Sequence, residues 1–177
     1  MNILKTSVVL VSICTLFSIR GMAATCYTVT PQDDIQNIID NCNDSELNKV
    51  TIYMQEGRYD GFSACSDMLS AERYISFIGV GDVVVESNSG YYASPAAEFR
   101  LNGTVENIRF ISSHPEDVIE LNDRGAYVVH ADYGSMHTVF NDCVFTSYQT
   151  AGVGIGLTYD SVVIEELNGN KIEVNRS

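Results

Sequence analysis

The chain has 177 residues, 45% of them hydrophobic, and carries 23 Asp+Glu against 10 Lys+Arg, a formal net charge of −13. A field of that sign repels phosphate backbones and anionic bilayers, and the basic residues are scattered rather than clustered, so nucleic-acid and lipid-surface binding are disfavoured. The length suits one domain with a sizeable core, and no cysteines show the close paired spacing of structural zinc.

In chain order, Lys5, an apolar run over residues 8–17 and the small-residue stretch Gly21-Met22-Ala23-Ala24 have the layout of a secretory signal peptide cleaved after Ala23. The run is shorter than the ~20 residues needed to span a bilayer. Residues 1–23 are therefore read as a signal and residues 24–177 as the mature domain, secreted or periplasmic, with no integral membrane association after cleavage. Cleavage removes Lys5 and Arg20 and no acid, which leaves 8 basic residues against 23 acidic ones, a net charge of −15. Cys26, Cys42, Cys65 and Cys143 remain, an even number in an exported chain, so disulfide bonds are expected. Cys26–Cys42 is favoured because it closes a short loop around the first helix; the rival reading makes Cys143 a small buried apolar residue.

Thr30-Pro31-Gln32-Asp33 reads as a helix start, with Thr as cap, Pro at the first helical position and an acid completing a capping box. Ile35, Ile38, Ile39 and Cys42 follow at helical spacing, predicting one short amphipathic helix that closes the end of something larger. From Val50 onward the chain turns to short β-branched and aromatic runs separated by Gly, Asn, Asp and Ser: Val50-Thr51-Ile52-Tyr53-Met54, Tyr74-Ile75-Ser76-Phe77-Ile78, Val83-Val84-Val85 and Ala126-Tyr127-Val128-Val129-His130. A weak repeat relates the segment beginning Thr104-Val105-Glu106-Asn107 to the one beginning Thr138-Val139-Phe140-Asn141, with one residue inserted, and Asp160-Ser161-Val162-Val163-Ile164-Glu165 echoes it. Units of this size cannot bury their own apolar face, which predicts stacked solenoid coils with Asn at the turns forming an inner ladder. An antiparallel β-sandwich is the alternative. Asn168-Gly169-Asn170 before Lys171-Ile172-Glu173-Val174 suggests a final hairpin bent over the last coil.

Several segments resemble the pectin methylesterase and pectate-lyase-like β-helix superfamily. Gln55-Glu56-Gly57-Arg58-Tyr59 is similar to that family's strand and "G-x-Y" turn, Ile78-Gly79-Val80-Gly81 to its "hydrophobic-Gly-x-Gly" coil, and Phe140-Asn141-Asp142-Cys143-Val144-Phe145-Thr146-Ser147-Tyr148-Gln149 to an esterase segment. The resemblance covers roughly residues 28 to 165 and implies an all-β fold, a short single-stranded right-handed parallel β-helix with an N-terminal capping helix. It also implies that Gln149 stands where an oxyanion Gln would, but Thr150 follows where the family has its acid/base Asp, and Thr cannot transfer that proton near neutral pH. Asp117-Val118-Ile119-Glu120-Leu121 lacks the family's earlier Gln, and no motif for the nucleophile or its Arg follows Tyr159.

His130 and Asp132 occupy alternate strand positions, so they face the same way as either a base with its orienting carboxylate or a surface ladder pair. His130, Asp132 and Gln149 are the catalytic candidates. His137 joins them only if the intervening turn brings it back. No cofactor or metal site is assigned, although Asp117, Glu120, Asp123 and Asp132 have the ligand type that Ca²⁺ prefers. The tyrosines, among them Tyr91, Tyr92, Tyr127, Tyr133, Tyr148 and Tyr159, form either a sugar-stacking strip or β-core aromatics. Gly152-Val153-Gly154-Ile155-Gly156 precedes a strand-like run rather than a helix, so it reads as tight packing between coils and not a phosphate loop. The preferred function is a non-catalytic exported module that binds polysaccharide or protein; the alternatives are a diverged pectin esterase or lyase, or a truncated remnant of one.

Overall fold

The computed structural model describes residues 24–65, 73–87, 96–112, 127–132, 137–147, 151–156 and 171–176. These residues are mostly β, with one short helix, α1 (Ile35–Asn41). The strands are β1 (Thr25–Val29), β2 (Val50–Asp60), β3 (Phe62–Ala64), β4 (Ile75–Glu86), β5 (Ala97–Phe99), β6 (Gly103–Glu106), β7 (Arg109–Ser112), β8 (Tyr127–Asp132), β9 (His137–Asn141), β10 (Val144–Ser147), β11 (Ala151–Gly156) and β12 (Lys171–Asn175). Every strand pairing among the described residues is parallel, which removes the antiparallel sandwich. An eight-stranded sheet runs β1-β2-β4-β6-β9-β12 with β7 and β10 beside it, and a four-stranded sheet runs β11-β8-β5-β3. From β2 onward the chain passes back and forth between the two sheets, and from β4 onward each strand pairs with one from an earlier visit to its sheet.

Strand periodicity places the core between the sheets. In β2, Val50, Ile52 and Met54 are buried while Thr51 and Tyr53 point outward. The register carries the inward column across the sheet from Ile52 to Phe77, Val105 and Phe140. From the other sheet Phe62 and Phe99 meet them: Phe99 lies 5.6 Å from Phe77, 5.9 Å from Phe110 and 5.7 Å from Phe140 between ring centroids. Tilted and edge-on contacts at these separations add to plain area burial.

The first turn departs from the sequence reading. Thr30 N and Oγ1 both donate to Asp33 Oδ2 at 2.8 Å, and Asp33 N donates to Thr30 O, so Thr-Pro-Gln-Asp closes a turn. The helix starts later, capped by Asp34, whose carboxylate accepts from Asn37 N at 2.9 Å. Asp34 wins because it is the acid three residues before a donor that the helix itself leaves unsatisfied. The expected apolar stripe holds: Ile35, Ile38 and Ile39 are buried and Cys42 packs against the core.

Two strands bend where the sequence carries Asn and Asp. Asn107, with φ 55°, separates β6 from β7, and Asp142, with φ 51°, stands just before β10. Asn and Asp are among the few non-glycine residues that enter this left-handed region readily. Registers Val105↔Phe140 and Phe110↔Phe145 both set an offset of 35 (140 − 105 and 145 − 110), so the repeat needs no inserted residue and Asn107 matches Asp142 rather than Asn141. The expected inner Asn ladder therefore becomes an outer corner: exposed Asn107 donates through Nδ2 to Gly79 O at 3.0 Å and Gly81 O at 3.3 Å. Gly79 is required there because a Cβ would collide with the Asn107 carbonyl, which accounts for the Gly-x-Gly motif.

The expected final hairpin turns at residues 168–170, outside the described residues, and only the strand after it is described. β12 pairs parallel with β9, Lys171↔His137 through Asn175↔Asn141, which sets the exposed Val174 opposite Phe140. The echo at residues 160–165, the turn at residues 168–170 and residues 1–23 lie outside the described residues.

Two buried groups give the fold an alkaline limit. Burial pushes the Cys143 thiol up from 9.0 to about 11 and the Tyr59 hydroxyl up from 10.0 to about 12. Tyr59 Oη also lies 2.8 Å from Gln55 O and 3.0 Å from Val29 O, both acceptors. A folded pKa above the unfolded one means that the folded state holds the proton more tightly, so this stability is complete below pH 9 and is lost as pH rises through about 11 to 12. Urea midpoints should be level from neutrality to about pH 9 and then fall. In Cys143→Ala the fall between about pH 9 and 11 should be smaller, with Cys42 and Tyr59 still contributing; an unchanged fall would contradict the assignment.

Candidate functional site

Polar side chains line the outer face of the four-stranded sheet. In β3 and β5 the flanking residues Phe62, Ala64, Ala97 and Phe99 are buried, so Ser63 and Glu98 point away from the core. Register stacks Ser63↔Glu98, Glu98↔His130 and His130↔Gly154, one residue per strand. Ser63 Oγ donates to Glu98 Oε2 at 3.1 Å. Gln36 on α1 joins the end of the row, its Nε2 donating to Ser63 O at 3.0 Å and its Oε1 accepting from Ser63 N at 2.8 Å. The helix side chain thus satisfies backbone groups of the edge strand β3.

His130 therefore sits half-buried in this row, beside Glu98. Asp132 lies two residues further along β8, in register with Gly156. Gln149 and Thr150 lie outside the described residues, as do Asp117, Glu120 and Asp123 and the tyrosines at 91, 92, 133, 148 and 159. His137 is exposed on β9 in the other sheet. Among the described residues no group of three or more His, Cys, Asp or Glu is placed to hold a metal ion. None of the described helices is long and apolar enough to cross a membrane.

Chemically the row can hold and orient a ligand. The Ser63 hydroxyl gives its proton to a carboxylate, whereas an activated serine gives it to an imidazole that is in turn oriented by an acid. Glu98 and Ser63 were invisible as partners of His130 in the sequence, because only sheet register brings positions 63, 98 and 130 together. The available signal was their alternation with buried residues, Phe62-Ser63-Ala64 and Ala97-Glu98-Phe99.

A second charged cluster lies at the end of α1. Arg73 Nε donates to Asp44 Oδ1 at 3.0 Å and Oδ2 at 3.2 Å, and Nη2 donates to Ile39 O at 2.7 Å. Tyr74 N adds a 2.6 Å bond to Asp44 Oδ2. The Cys42 sulfur is 3.4 Å from Arg73 Nη2, yet burial and the Asp44 charge together push its thiol pKa up, so the cluster clamps the helix end rather than arming a nucleophile. Register sets Cys26 opposite outward-pointing Thr51, whereas Cys42 packs against the core.

No family model, no curated protein and no solved structure matches this chain.

Proposed function

We propose that this chain is an exported, short right-handed parallel β-helix of the pectin-lyase-like kind, acting as a non-catalytic binding module for polysaccharide or protein. Alternation between two parallel sheets supports the fold, because parallel crossovers are right-handed in nearly all known cases. α1 caps the first coil, and the signal at residues 1–23 delivers the chain to a secreted or periplasmic location where disulfides can form. One observation carries the binding role: Gln36, Ser63, Glu98 and His130 form a row of polar groups across the outer sheet face. Strands about 4.8 Å apart present such groups at a spacing suited to an extended, hydroxyl- or amide-rich chain.

The test uses the protein released from cells that express the full chain, offered acidic and neutral polysaccharides with and without Ca²⁺, scoring retention, methanol release and unsaturated product. Retention without turnover is expected, weakened about tenfold or more by Glu98→Gln or His130→Ala with the thermal midpoint little changed, as for loss of a charged hydrogen bond. Turnover abolished by His130→Ala or Asp132→Ala would instead establish the diverged-enzyme reading.

A further inference from the structure

The eight-stranded sheet has an outer face of a different character. Tyr53 on β2 is 37% exposed and Val80 on β4 43%, with Ile78 beside Tyr53 in register. Next to this apolar strip runs a row of hydroxyls, since register aligns Thr51 with Ser76 and the neighbouring strand adds Thr104. Ser76 Oγ accepts from Thr104 N at 3.1 Å, which fixes that row. The Tyr53, Thr51 and Thr104 hydroxyls make no hydrogen bond among the described residues, and all three stand on rigidly paired strands. Glu106, level with Ile78, is the one charged residue at the outward positions of β1, β2, β4 and β6 on this face, up to the bend after Val80.

We propose that this face is a second binding site, for a neutral polysaccharide with flat pyranose rings, centred on Tyr53. A ring that shows its C–H face to Tyr53 covers exposed aromatic and aliphatic surface, as aromatic side chains with one wet end favour. Its edge hydroxyls then meet the Thr51–Ser76–Thr104 row, and Glu106 accepts one more. The ligand class follows from charge: a uronate or sulfated chain would face Glu106 and a mature protein of net charge −15, and up to the bend after Val80 the outward positions of these strands carry no basic residue, Arg58 lying beyond it and paired with Glu86. A protein partner fits less well, because a stable protein interface is built around a larger, more completely buried apolar centre than one tyrosine and two aliphatic side chains. The site lies on the opposite sheet from His130 and depends on the binding-module reading only for the general class of ligand.

Affinity electrophoresis of the full-length secreted protein through gels cast with a neutral β-glucan, with xylan or with polygalacturonate tests the site. Retardation by a neutral glycan, reduced at least tenfold in Tyr53→Ala, largely kept in Tyr53→Phe and unaffected by His130→Ala, is the expected result. Tyr53→Thr keeps a strand-favouring side chain, and its far-ultraviolet dichroism verifies that lost retardation is not lost folding. The proposal is overturned by retardation that Tyr53→Ala leaves unchanged, by preference for polygalacturonate, or by Tyr53-dependent self-association in sedimentation with no glycan effect. Loss in His130→Ala alone would support the first site and reject this one; no retardation in any gel would reject this one and leave a protein ligand for the first.

Discussion

Phe99→Ala is expected to cost about 3–5 kcal/mol, the range for deleting a fully buried phenylalanine. Phe99 is 1% exposed and touches rings from both sheets, with Phe62 at 5.8 Å on its own sheet and Phe77, Phe110 and Phe140 at 5.6 to 5.9 Å on the other. Each sheet is stiffened by its own hydrogen-bonded ladders, so the backbone relaxes only partly into the space the ring leaves, and the cavity term adds to the lost transfer energy. Set against a total stability of roughly 5–15 kcal/mol, that loss leaves little folded margin. Urea titration by far-ultraviolet dichroism should show the midpoint falling by about a fifth or more. Phe145→Ala, a partly buried position at the edge of the same cluster, should lose clearly less. Equal losses would mean that Phe99 is not the centre of the core.

Asp44→Ala is expected to cost about 3–5 kcal/mol, as removal of one member of a buried ion pair does. The Asp44 and Arg73 side chains are only 5% and 15% exposed. Without Asp44 the guanidinium keeps the Ile39 carbonyl but loses its counter-charge, and Tyr74 N loses its acceptor. The damage falls where α1 is tied to the start of β4, so the cap over the first strands should loosen together with the pair. By contrast Arg58–Glu86 and Arg176–Asp142, whose arginines are 67% and 78% exposed, should each contribute under about 1 kcal/mol and weaken in salt. A double variant Asp44→Asn, Arg73→Met removes both charges and should recover much of the loss. If Asp44→Ala melts within about 2 °C of the wild type, a buried pair of this strength is not present.

Much of the local structure was legible because its causes are local. Ile35, Ile38 and Ile39 at helical spacing did form a buried stripe, and the β-branched runs at Val50 and Ile75 did form strands. The errors were errors of competition between neighbours. Thr30 and Asp33 have capping chemistry but are used in a turn, because Asp34 holds the better position for Asn37 N. The repeat was visible at Thr104 and Thr138, yet its register was one residue off at the first half, since identity of Asn107 and Asn141 is weaker information than the positive φ shared by Asn107 and Asp142.

The site was legible only as one of its members. His130 could be singled out by residue type, whereas Glu98, Ser63 and Gln36 became its neighbours through parallel pairing across intervals of about thirty residues. Tyr53 was read as one strand aromatic among several, and only burial separates it from inward-facing Tyr59. Sequence alone determined what depends on neighbours in the chain: the acidic charge, the helix stripe, and strands in place of helices after Val50. Tertiary structure decided parallel pairing, the 35-residue register, and which outward residues share a row. Those choices are fixed by burying a shared apolar core between strands β1 to β9, a sum over contacts that no single segment contains.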